Sequence, residues 1–158
     1  MEKQANSRTC FVCGVDNPFG LHMNFYSTGP GEVTASYIAS KEYQSYPGVL
    51  HGGIVAAILD EAAGRVFLGG FLPRFMYTAK MEIRFRNNVP IGQSLKIVGR
   101  AGIIKTRAAE SWAGIFSSDD VLLAETNALY IDIPKPPAKS VLESFGWKVY
   151  PDEKENRE

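Results

Sequence analysis

The sequence predicts an α+β domain in which an antiparallel sheet wraps around one long helix. Only one stretch, residues 52–67, has sustained helical character, and strand-like segments stand on both sides of it. The connections between the later strands are short, which favours antiparallel neighbours because a parallel return needs a long crossover. A lone apolar helix must be covered on most sides, and a curved sheet does this economically.

Taken in order, residues 1–9 read as a flexible tail, 10–150 as one domain and 151–158 as a charged end. Residues 21–26 and 32–38 look like strands joined by the turn Thr28-Gly29-Pro30-Gly31. Residues 41–50 contain Pro47-Gly48 and read as a loop. In the helix, Val55, Ile58, Leu59, Ala62 and Val66 recur at helical spacing as a core-facing stripe, and Gly69-Gly70 closes it. Residues 77–86 alternate, with Met81, Ile83 and Phe85 on one face and Lys80, Glu82, Arg84 and Arg86 on the other. Pro90 and Gly92 break this strand. Further strands follow at 94–101, 107–117 and 121–132, the last two joined by the hairpin turn Ser117-Ser118-Asp119-Asp120.

Composition narrows the function. At 158 residues the chain buries a proper single core. Lys plus Arg equals Asp plus Glu at 17 each, so no global field draws it to nucleic acid or to an anionic membrane. No apolar run approaches the roughly 20 residues of a membrane span. The first seven residues are polar, unlike a signal peptide, so a cytoplasmic location is the default.

The two cysteines form Cys10-Phe11-Val12-Cys13. Such a pair supplies two ligands, whereas a structural zinc wants four. His22 is near in sequence, but a fourth ligand is not evident. A redox reading expects the pair to open a helix after a strand, and turn residues follow instead: Gly14, Asp16-Asn17-Pro18 and Gly20. The expectation is two reduced cysteines in a folded N-terminal segment, with no metal and no cofactor. Metal binding and redox chemistry are the alternatives.

The chemistry-bearing motif is Pro47-Gly48-Val49-Leu50-His51-Gly52-Gly53, which leads into the helix, with Asp60 two turns inside. A helix N-terminus presents unpaired N–H groups and a positive dipole end. Glycines there let a thioester carbonyl approach those groups as in an oxyanion hole. A carboxylate in the same pocket then activates water or attacks directly. Taken singly, His51-Gly52-Gly53 is an ordinary loop-to-helix junction and Asp60 a solvated residue like Glu61. Together, at this spacing, they mark a site. Seven helical residues separate Gly53 from Asp60, roughly 10 Å. That is too far for both to serve one carbonyl carbon, so a shared site requires two chains. Asp60 lies among Gly53, Ala56, Ala57, Ala63 and Gly64 on the helix side opposite the core stripe, where small residues favour close approach of a second chain.

The run from Gly48 through His51-Gly52-Gly53 to Asp60-Glu61 resembles the signature of the hotdog-fold acyl-CoA thioesterases, specifically their phenylacetate-pathway-like branch. Supporting likenesses are Cys10-Phe11-Val12-Cys13-Gly14 with Asn17-Pro18 and Gly20-Leu21, the strand from Thr78 to Phe85 with Val89-Pro90-Ile91-Gly92, and Val121 to Glu125. The resemblance implies homodimers, often paired into homotetramers, and acyl-CoA as substrate. It implies Asp60 as base or nucleophile, the Gly52 or Gly53 N–H polarising the carbonyl, and His51 orienting the thioester or the helix start. Thr78 matches a position where Ser or Thr positions water or the carboxylate. Some relatives carry Asn six residues before the His; Ser45 stands there, with Gln44 beside it, and the polar role falls to one of these or to neither. Arg84, Arg86, Lys105 and Arg107 are candidates for the CoA phosphates, which arginine binds bidentately. Two other readings share the fold: an acyl-thioester dehydratase or hydratase, and a non-catalytic acyl-CoA-binding domain.

Overall fold

Among the described residues, seven strands form one wholly antiparallel sheet with a single long helix packed on its face, the hotdog arrangement. The computed structural model describes residues 1–70 and 73–152. The strands are β1 (Glu2–Lys3), β2 (Tyr26–Gly29), β3 (Glu32–Ile38), β4 (Met76–Phe85), β5 (Ser94–Ile104), β6 (Ala108–Phe116) and β7 (Leu122–Asp132). Their order across the sheet is β1-β2-β3-β5-β6-β7-β4. Helix α1 (Gly52–Arg65) lies between β3 and β4 in the chain, and a short α2 (Lys139–Ser144) follows β7.

All five residues of the expected stripe, Val55, Ile58, Leu59, Ala62 and Val66, are buried. They pack with inward residues of the central strands, among them Val33, Ile97, Ala113 and Ile115. Helix and sheet approach so closely that a Cβ on Gly99 of β5 would stand 2.5 Å from the Ala62 carbonyl oxygen. Only glycine fits there.

Besides β5, which runs on to Ile104 rather than ending at 101, three boundaries differ from expectation. The helix ends at Arg65 rather than 67, because the Phe67 and Leu68 N–H groups bond three residues back and tighten the last turn. Residues 21–25 are not strand; pairing with β3 begins at Tyr26. The expected tail at 1–9 is built into the fold: β1 pairs with β2, and Asn6 pairs with Lys148. The reason is Arg65, whose side chain is 1% exposed. A buried guanidinium must be satisfied, and the N-terminal segment does so through the Ala5 carbonyl at 2.9 Å and the side chains of Gln4 and Asn6. The Phe25 ring lies under it, 4.7 Å from the guanidinium carbon. Of the expected charged end, Asp152 accepts from Lys3 and Tyr26, and 153–158 fall outside the described residues.

Strand β4 forms one edge of the sheet and carries a bulge. Thr78 pairs with Tyr130 and Lys80 with Leu129, leaving Ala79 as the extra residue. Strict alternation would put Thr78 on the outer face with Lys80 and Glu82. The bulge inverts the pattern, so Thr78 shares the inner face with Met81 and Ile83, whose register partners Ala128 and Thr126 are buried.

Candidate active site

Asp60 sits on α1 opposite the inner face of β4 and β7. Its Oδ1 accepts a hydrogen bond from Thr78 Oγ1 at 2.7 Å, and the Tyr130 hydroxyl lies 2.8 Å from the same oxygen. The Tyr130 hydroxyl is also 2.8 Å from the Asp60 carbonyl oxygen. Burial, together with the neighbouring Asp60 charge, pushes the Tyr130 phenol well above its ordinary range and keeps it a donor. Oδ1 is thus occupied from two sides, while no hydrogen bond reaches Oδ2 among the described residues. The carboxylate lines a small cavity of about 190 Å³ with Gly64, Met76, Thr78 and Tyr130.

Tyr130 was not among the residues expected from sequence. Its signal lies in β7, where Thr126, Ala128 and Tyr130 alternate inward. A buried phenol on such a face needs a polar partner, and Asp60 is the partner.

At the helix entrance His51 is the N-cap. Its ring Nδ1 accepts the Gly53 N–H at 2.9 Å, which requires the tautomer protonated on Nε2. The Gly53 N–H is therefore occupied. The N–H groups of Ile54 and Val55 bond to the His51 carbonyl, which leaves Gly52 as the N–H in this turn without a partner among the described residues. Gly52 opens into a separate cleft of about 340 Å³ lined by Ser45, Tyr46, Phe85 and Asn87. None of the described residues lines both cavities.

The structure separates the two residues offered for the polar role before His51. Ser45 lines the Gly52 cleft, whereas Gln44 turns its Oε1 to the Gly48 N–H at 3.2 Å and braces the loop. Gly48 has φ +82, the left-handed region that favours glycine. The small-residue side of α1 is partly filled by the chain itself. Ala63 is fully buried, and a Cβ on Gly64 would meet the Tyr130 ring at 3.3 Å. Gly53 is exposed, and Ala56 and Ala57 are partly so.

The four basic candidates do not converge. Arg86 is paired with Glu125, which also accepts from the Trp112 indole at 2.9 Å; these donors hold the Glu125 carboxyl below the usual range. Arg84 lies beside it in register on the outer face. Lys105 and Arg107 flank the β5–β6 turn, where the Arg107 carbonyl accepts from the Asp132 N–H at the other end of β4. Among the described residues, Arg84, Lys105 and Arg107 make no ion pair.

Glu61, expected as solvated, is instead clasped by Arg65 at 2.7 Å and faces Cys10. Cys10, Cys13 and Glu61 bring three ligand atoms within 4.8 Å of one another. His22, considered above as a companion of the cysteines, turns instead to the Asn17 carbonyl.

A family model described as the thioesterase superfamily matches residues 47–126, and the chain belongs to that superfamily. Acyl-coenzyme A thioesterase THEM4 of Xenopus laevis is 28% identical over 113 residues, covering 69% of this chain and 49% of its own. The chain spans about half the length of the curated relatives it matches. Many solved structures share the fold, two of them informative here. One is smu.793 from Streptococcus mutans UA159 bound to acetyl CoA, at TM-score 0.65 and 18% identity, covering 73% of this chain and 91% of its own. The other is the E. coli PaaI protein from the phenylacetic acid degradation operon, at TM-score 0.65 and 14% identity, covering 72% and 80%.

Proposed function

We propose that this chain hydrolyses acyl-CoA thioesters to free acid and CoA, with Asp60 as the essential carboxylate. The observation that carries this reading is the asymmetric seating of Asp60. Thr78 and Tyr130 hold Oδ1, and Oδ2 is left to act as base on a water or as nucleophile on the carbonyl carbon. The Gly52 N–H, with the dipole of α1 behind it, polarises the thioester carbonyl. In net terms the water oxygen joins the carbonyl carbon, the C–S bond breaks, and a proton passes to the leaving thiolate. His51 acts by holding the helix start open, and Ser45 borders the same cleft. Acetyl CoA in the structurally similar smu.793 supports the substrate class.

The working unit is a dimer. Asp60 and Gly52 line different cavities, and the helix interval between them is roughly 12 Å. Among the described residues, strand β4 has a neighbour on one side only. Gly52 sits near Phe85, at one end of β4, and Asp60 near Thr78, toward the other. Two β4 edges meeting antiparallel about a two-fold axis bring Asp60 of one chain beside Gly52 of the other, twice. Association of two such dimers gives a tetramer. Arg84, Lys105 and Arg107 are the basic groups available to CoA phosphates, whereas Arg86 is neutralised by Glu125.

The dehydratase reading needs a histidine working as acid or base beside a carboxylate, and His51 is engaged as the helix cap. A purely binding domain would have no use for a free carboxylate oxygen. The test is thiol release across a panel of acyl-CoA substrates. The unaltered protein is expected to turn over at least one of them, and Asp60→Asn is expected to lose nearly all turnover while keeping its melting temperature. Near-normal turnover by a folded Asp60→Asn protein would refute the assignment.

A further inference from the structure

Apart from the Asp60 cavity, the N-terminal segment holds a second chemically distinctive cluster. Cys10 and Cys13 lie in one turn, closed by the Gly14 N–H to the Cys10 carbonyl at 2.9 Å. Their sulfur atoms stand within 4.8 Å of each other. The two are unequally exposed: Cys13 is 1% exposed, while Cys10 is half-buried. The Cys13 N–H points at Cys10 Sγ, 3.5 Å away. Behind the pair lie the Glu61 carboxylate, 3.8 Å from Cys10 Sγ, and the buried guanidinium of Arg65.

This environment suits sulfur chemistry better than a metal ion. Three candidate ligands are one short of a closed zinc site. One oxygen of Glu61 is already committed to Arg65 at 2.7 Å. Arginine stays charged throughout the accessible pH range, so a divalent ion here would face a buried cation across a single carboxylate.

We infer that Cys10 and Cys13 form a thiol–disulfide exchange site for low-molecular-weight disulfides, with Cys10 the attacking sulfur and Cys13 the resolving one. The Cys10 thiolate attacks one sulfur of the small disulfide, whose S–S bond breaks and releases one thiolate. Cys13 gives its proton to the small thiolate just released. The Cys13 sulfur then attacks Cys10, expelling the second small thiolate. Two protein thiols are oxidised to one disulfide, one small disulfide is reduced to two thiols, and the protons released end on those thiols. Proton placement agrees with these roles. Hydrogen bonding from Cys13 lowers the Cys10 thiol from its ordinary 9.0 to about 7. The same bond, with burial, pushes Cys13 well up. The exchange neither uses nor requires thioester turnover.

The test uses the full chain, reduced and folded, with oxidised glutathione as the probe and intact-mass spectrometry as the readout. The unaltered protein is expected to lose two hydrogens with no lasting adduct. Cys13→Ser is expected to accumulate one glutathionyl group on Cys10, and Cys10→Ser to react at least about tenfold more slowly. Alkylation of Cys10 by iodoacetamide is expected to reach half its maximal rate near pH 7 rather than near 9. Should either variant fail to fold, brief exposure of the unaltered protein, quenching and peptide mapping identify the sulfur that first carries glutathione. The inference fails if Cys13 is modified as fast as Cys10. It fails equally if the folded protein is inert while the unfolded chain reacts, or if purified protein carries stoichiometric zinc that protects both thiols.

Discussion

The two oxygens of Asp60 have different surroundings, and the proposed chemistry rests on that difference. Oδ1 is held by Thr78 and Tyr130, so the carboxylate cannot rotate freely and Oδ2 keeps one direction. A hydrogen bond to a charged group contributes about 1.5–3 kcal/mol, which corresponds to roughly 10- to 100-fold in rate if it is fully expressed in the transition state. Tyr130→Phe keeps the ring that packs edge-on against Phe67 at 5.8 Å and removes only the hydroxyl. Steady-state kinetics are expected to give a kcat lower by about tenfold or more, with little change in KM or melting temperature. An unchanged kcat would mean that Thr78 alone positions the carboxylate. At this scale the sequence was partly legible. Asp60 and His51 announce themselves by spacing from the glycines, whereas Tyr130 lies 70 residues from Asp60 and meets it only through the register of β7. The difference between Gly52 and Gly53 is a matter of one rotamer, because the His51 ring folds back onto the Gly53 N–H.

Among the elements, α1 and the later strands were readable because their periodicity is enforced by burial on one side. The Ala79 bulge was not. A sheet tolerates an extra residue without any mark in the alternation of the flanking positions, and this one decides that Thr78 faces Asp60. The order of the N-terminal segment is hidden in the sequence for a related reason. Its residues are polar and short of apolar signal, and it is ordered by the unmet hydrogen bonds of Arg65 on a distant helix. Removing one partner of a buried ion pair costs about 3–5 kcal/mol. Arg65→Ala is therefore expected to lower stability by about that amount in denaturant titration, and to release protection of the Asn6 and Arg8 amides in hydrogen exchange. Retained stability and protection would show that the segment is held by its backbone pairing alone.

Over the whole molecule, one chain carries both halves of the proposed site, but in different places. The carboxylate cavity and the Gly52 cleft share no lining residue among those described. A nucleophile must come within about 3–3.5 Å of the carbonyl carbon, and oxyanion donors within about 3 Å of its oxygen. The proposed dimer, two chains related by a two-fold axis, would meet both requirements, and its proposed surface is the edge of β4 that has no strand partner among the described residues. The most direct measurement is complementation in mixed dimers. One chain carries Asp60→Asn, and the other carries bulky replacements of His51 and Gly52. Each homodimer is expected to be nearly inactive, while in the mixed dimer one site receives both defects and the other receives none. The account predicts recovery of up to about half the activity of the unaltered dimer. Mixed dimers that form, stay folded and remain inactive would contradict it.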